Sequence, residues 1–251
     1  MTKIANFFVC HNVKAVLGVL SVRAAFVELF TDRKFEINMM SGRSGKIKAV
    51  KSITSKQTSF EGSFSLLFVE PHHQENPSEK WDFLCFHDDA EGTVCIGDAS
   101  SKDKDLAKWS ADILKKLGRN GVASDYAYAY RETIPFGQAY SVGVFAEDDL
   151  HPITDFATAE EISLWLKNGR FDAQHKKIRD VFRINMFSDS LYKNIAEFCG
   201  NTSIYVTKSE DLIHPMHIME CSLLERNEVR MILKSKGVLI AAPSVLPSSQ
   251  I

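Results

Sequence analysis

The sequence predicts an α+β fold, a mostly antiparallel sheet with helices packed on one side. Three observations carry that expectation. Two apolar runs, Trp81-Asp-Phe-Leu-Cys-Phe86 and Thr93-Val-Cys-Ile96, flank Asp88-Asp-Ala-Glu-Gly92, a hairpin signal. Tyr126, Tyr128 and Tyr130 alternate with small residues, and Tyr140, Val142 and Val144 alternate likewise, so each set lines one face of a strand. Single helices with legible caps separate these strand regions, the pattern of a layered α+β domain.

Taken in chain order, Val13, Val16, Leu17, Leu20, Ala24, Val27 and Phe30 recur at helical spacing behind Asn12, a suitable N-cap, so one helix is expected to end near Thr31-Asp32. Between Ile37 and Phe60 stand Arg43, Lys46, Lys48, Lys51 and Lys56, amid frequent Ser, Gly and Thr, and an exposed connector is expected there. After the first hairpin, Ser100 and Asp103 match a capping box, Leu106, Trp109, Ile113 and Leu117 form a stripe, and Gly118 closes the helix. Pro135 and Gly137 link the two alternating strands. Thr158 and Glu161 cap a helix holding Ile162, Trp165 and Leu166. Ser188 starts another through Leu191, Ile195 and Phe198, and Ser222 with Glu225 caps the last, closed by Gly237. Ile204-Tyr-Val206 and Val238-Leu-Ile240 read as short strands. The expected division is an N-terminal helix and basic connector over 1–68, an α+β domain over 69–242 and a loose tail over 243–251. The expected core includes Trp81, Phe83, Val94, Leu106, Trp109, Ile113, Tyr128, Val142, Trp165, Val181 and Leu233.

Composition narrows the function. The 251 residues are 45% hydrophobic and 25% charged, a globular balance, and 30 basic against 32 acidic residues carry no global bias toward nucleic acid or membrane. Five cysteines lie in apolar settings without Cys-x-x-Cys spacing, which favours buried reduced thiols. Cys85 and Cys95, on the two arms of the hairpin, are the pair to watch for a disulfide. Lys14, Arg23 and Glu28 make the stretch 13–30 too charged to span a membrane, and the run Ile4–Cys10 is too short for a signal peptide, so a cytoplasmic location is expected.

Motifs for chemistry are sparse. Gly42-Arg-Ser-Gly45-Lys46 lacks the glycine spacing and the hydroxyl of a phosphate loop, and reads as a basic turn. His72-His73 reads as a polar loop. His214, His217 and Glu220 would share a helix face at i, i+3 and i+6, an arrangement able to hold a water-activating metal in a hydrolase, although Pro215 opposes a regular helix there. The basic set Arg43 to Lys56 offers sequence-tolerant phosphate contacts but no interleaved aromatics for stacking on bases. Charge blocks are more informative. From Glu70 to Asp112 eleven acids face four Lys, and Glu147-Asp-Asp149, Asp155 and Glu160-Glu161 follow without a Lys or Arg between Phe145 and Glu161. Such blocks can steer a basic partner.

From Trp81 to Ile240 the order of signals is more specific. A strand pair ends in Gly97-Asp98, then comes a helix with an inward Trp109, then Asp125-Tyr-Ala-Tyr-Ala-Tyr130. A Pro/Gly link leads to Ala139-Tyr-Ser-Val-Gly143, then to Ile178-Arg-Asp-Val-Phe-Arg-Ile-Asn-Met-Phe187. Met219-Glu-Cys221 precedes the helix with Val229-Arg230. This order resembles a family of immunity-type proteins of bacterial polymorphic toxin systems, over about two thirds of the chain. Phe182 stands where that family usually has Tyr, and Met219 where it usually has Trp. The resemblance implies a non-catalytic protein, without cofactor, that binds and neutralises a cognate protein toxin. Partner contacts would fall on Asp88, Asp89, Glu91, Glu147, Asp148 and Asp149, with Phe136 or Tyr140 as an apolar anchor. Arg179, Asp180 and Asn185 are expected to be structural, Arg as a fork of donors to backbone and Asn as a turn mimic.

Overall fold

A computed structural model of the chain describes residues 4–11, 13–16, 18–30, 36–41, 47–50, 64–69, 81–88, 92–100, 105–134, 177–199, 205–209, 212 and 215–239. Strand β1 (Ile4–His11) is followed by a short β2 (Lys14–Ala15), helix α1 (Val19–Phe30), β3 (Glu36–Ser41), β4 (Ile47–Val50) and β5 (Phe64–Val69). The hairpin β6 (Phe83–Asp88) and β7 (Thr93–Asp98) leads to α2 (Leu106–Arg119), β8 (Val122–Ala123) and β9 (Tyr126–Thr133). Then come β10 (Ile184–Ser188), α3 (Asp189–Cys199), β11 (Tyr205–Ser209), β12 (Met216–Glu220) and α4 (Leu223–Ser235).

The expected α+β class and antiparallel sheet are what the structure has. Ten strands form one sheet in the order β11-β12-β10-β9-β1-β7-β6-β5-β3-β4, and each neighbouring pair is antiparallel. Alternation sets its two faces. Phe7, Val9, Leu84, Tyr126, Tyr128, Tyr130, Phe187 and Met219 face one core with Leu191 and Ile195 of α3 and Val229 and Leu233 of α4. Phe8, Cys10, Val94, Ile96, Ala127, Ala129, Ile184 and Met186 face the other, with Val22 and Phe26 of α1 and Leu106 and Ile113 of α2. The helices therefore cover both faces rather than one. The reason lies in β1, β7, β9 and β10, which bury apolar side chains on both sides and need a cover on each.

The N-terminal region is part of this sheet, not a separate unit ending at residue 68. The run read against a signal peptide is β1, a central strand that pairs with β7 on one side and β9 on the other. The first helix begins at Val19, not beside Asn12, because Gly18 takes a left-handed φ of 58° and residues 14–15 pair with β8 instead. Its buried face is consequently Val22, Ala25, Phe26 and Phe30, leaving Leu20 exposed and Val16, ahead of it, 82% exposed. The segment expected as a connector contains β3 and β4, whose Ile37/Met39 and Ile47/Ala49 alternation is hidden among Lys and Ser.

Helix starts differ in detail. The N-cap of α2 is Asp105, whose carboxylate accepts from the Lys108 N–H at 3.1 Å, not Ser100. Gly118 lies within α2, and Gly121, at φ 74°, makes the turn that follows it. Ser222 and Glu225 do form the expected capping box of α4, and Gly237 follows at φ 68°. Leu239 makes a parallel bridge with Ile178. Of the expected core, Trp81, Phe83, Val94, Leu106, Ile113, Tyr128, Val181 and Leu233 are buried and Trp109 is half-buried. Val142, Trp165 and the helix expected from Thr158 lie outside the described residues.

Candidate functional site

Polar side chains gather inside the sheet face that α3 and α4 cover. Strand β9 points Tyr126 and Tyr128 to this face, and β1 brings His11 beside them. His11 Nδ1 lies 3.2 Å from Thr93 Oγ1, and its Nε2 lies 3.2 Å from the Tyr128 hydroxyl. Arg179 Nη1 donates to that same hydroxyl at 3.3 Å. Tyr126 donates from its hydroxyl to the Asp180 carbonyl at 2.9 Å. The Tyr128 and Phe182 rings stack with centroids 3.9 Å apart, so Phe182 enters the stack with its ring alone.

Arg179 and Asp180 sit in the segment 177–183, which leads into β10. Asp180 Oδ1 accepts from the Val181 N–H at 2.8 Å and from Arg230 Nε of α4 at 2.6 Å. Burial pushes the Asp180 carboxyl up from its ordinary value, against the lowering pull of Arg230, the Val181 N–H and Arg226. The Asn185 side chain bonds the backbone of Phe182, three residues before it. Its Oδ1 accepts from the Phe182 N–H at 3.0 Å and its Nδ2 donates to the Phe182 carbonyl at 2.7 Å. Arg179, Asp180 and Asn185 are each at most 1% exposed. His11 and Thr93 join them although no sequence motif marked them, and Arg230 comes from the Val229-Arg230 helix without having been singled out as a site residue. The available signal for His11 was alternation in β1.

A second feature opens on the opposite face. Between α1, α2 and the sheet is a cleft of about 350 Å³ with Phe30, Phe83, Ile96 and Ile113 among its apolar lining. Phe30 and Phe83 meet at 5.1 Å with rings tilted by 60°. Trp109, Asp98, Asp105, Lys108, Asp112 and Lys116 are among the described residues that line the same cleft. Asp98 is buried, and its Oδ1 accepts from Ser100 N–H at 2.9 Å and Ser100 Oγ at 2.7 Å.

The structure places the other candidates as follows. Asp88 ends β6, half-buried and paired in register with Thr93. Asp89, Glu91, Phe136, Tyr140, Glu147, Asp148 and Asp149 lie outside the described residues, as do Arg43, Lys46, Lys51 and Lys56. Lys48 lies on β4, at one edge of the sheet. The helical spacing behind the His214, His217 and Glu220 set is replaced by strand β12, which turns His217 and Glu220 to opposite faces; His214 lies outside the described residues. His217 instead meets Asp189 Oδ1 through Nε2 at 2.6 Å and stacks on Tyr192 at 3.8 Å. Among the described residues no three His, Cys, Asp or Glu side chains gather as a metal site needs.

The cysteines have an internal place. Cys10, Cys85, Cys95 and Cys221 are buried free thiols. Cys85 pairs in register with Ile96, and its side chain faces the α1–α2 core while that of Cys95 faces the opposite one, so the hairpin does not bridge them. Among the described residues no helix is long and apolar enough to cross a membrane. No family model, curated protein or solved structure matches the chain.

Proposed function

We propose that this is a non-catalytic cytoplasmic binding protein, the immunity partner of a bacterial toxin, which neutralises it by occupying its active site or holding it in an inactive shape. One observation supports this reading above others. The residues that carry the resemblance to immunity-type proteins, Arg179, Asp180 and Asn185, are buried in the core, where Arg179 donates to the Tyr128 hydroxyl, Asp180 accepts from Arg230 of α4 and Asn185 bonds the Phe182 backbone. A motif used that way specifies a scaffold and leaves specificity to the surface, as a binding protein requires. The acidic stretch Glu70 to Asp112 suits a basic partner, whose encounter it would accelerate more than it would deepen the final affinity. Buried free thiols at Cys10, Cys85, Cys95 and Cys221 agree with a reducing compartment.

The test is genetic and physical. The reading frame beside this gene is expressed alone and together with it. Growth arrest that co-expression relieves, with the two products purifying together, is the expected outcome. Neither rescue nor co-purification would overturn the proposal.

A further inference from the structure

We draw no further inference here: the strongest candidate, the cleft that Trp109 and Phe83 line between α1, α2 and the sheet, carries no proposal because nothing in the structure shows what occupies it.

Discussion

Arg230 donates from Nε to Asp180 Oδ1 at 2.6 Å, joining α4 to the segment that precedes β10 by an ion pair whose two side chains are 7% and 1% exposed. Because both charges have left water, each depends on the other. Arg230→Met alone should cost about 3–5 kcal/mol, since it takes the main cation from a buried carboxylate and leaves only the weaker pull of the Val181 N–H and Arg226. The double variant Asp180→Leu/Arg230→Met should be much closer to wild type. Urea denaturation of the single and double variants checks this; a double variant less stable than the sum of the singles would contradict it.

The same pair gives a pH dependence. Asp180 holds its proton more tightly in the folded chain than the ordinary value of 3.8 implies, because burial opposes its ionised form. Its contribution to stability is therefore fully present below that value and declines as pH rises through the raised folded value. Stability measured from pH 3 upward, wild type minus Asp180→Asn, should fall with rising pH. A difference that grows with pH would contradict the direction.

Gly97 is packed where no side chain fits. A Cβ there would lie 2.5 Å from Trp81 Cη2 and 2.9 Å from Cζ3, both within a buried indole that also meets Phe7 edge-on at 5.8 Å. Gly97→Ala is expected to destabilise the fold by about 1–3 kcal/mol through overpacking. Gly237→Ala, at φ 68° with nothing near its Cβ, tests backbone strain without a clash. The two should differ in the Trp81 near-ultraviolet signal, altered in the first and preserved in the second.

Tyr128 should matter through its hydroxyl as well as its ring. Tyr128→Phe keeps the stacking on Phe182 but removes the group that meets both His11 Nε2 and Arg179 Nη1. A loss of about 1–3 kcal/mol is expected, the usual cost of a buried polar group deprived of a partner. Calorimetric melting of the variant is the check, and an unchanged melting temperature would contradict the network.

The sheet thiols should be inert. Burial pushes the Cys10 thiol up to about 12 and raises that of Cys85 well above its ordinary value, so neither forms thiolate near neutral pH. Alkylation of the native chain at pH 8, mapped by mass spectrometry, should spare Cys10, Cys85 and Cys95 until urea unfolds the protein. A peptide pair linked through Cys85 and Cys95 in a non-reducing digest would contradict the packing.

What the sequence determined by itself is part of the local structure. The hairpin of β6 and β7, the Tyr alternation of β9 and the Ser222–Glu225 cap of α4 were legible because each is written in neighbours two to four positions apart. The contact of Asn185 with Phe182 is equally local, the two being three residues apart. Tertiary structure alone decided the rest. That Ile4–His11 is a central strand depends on β7 and β9, whose pairing with it spans roughly a hundred residues and leaves no local period longer than the strand itself. That helices lie on both faces follows from a sheet apolar on both sides, which a pattern of helices and hairpins does not reveal. The meeting of His11, Tyr128, Arg179, Asp180 and Arg230, and the cleft that brings Trp109 beside Asp98 and Phe83, exist only once those strands and helices are placed. Side chains converge there because folding buries them against one another, and sequence spacing carries no record of which distant face each will meet.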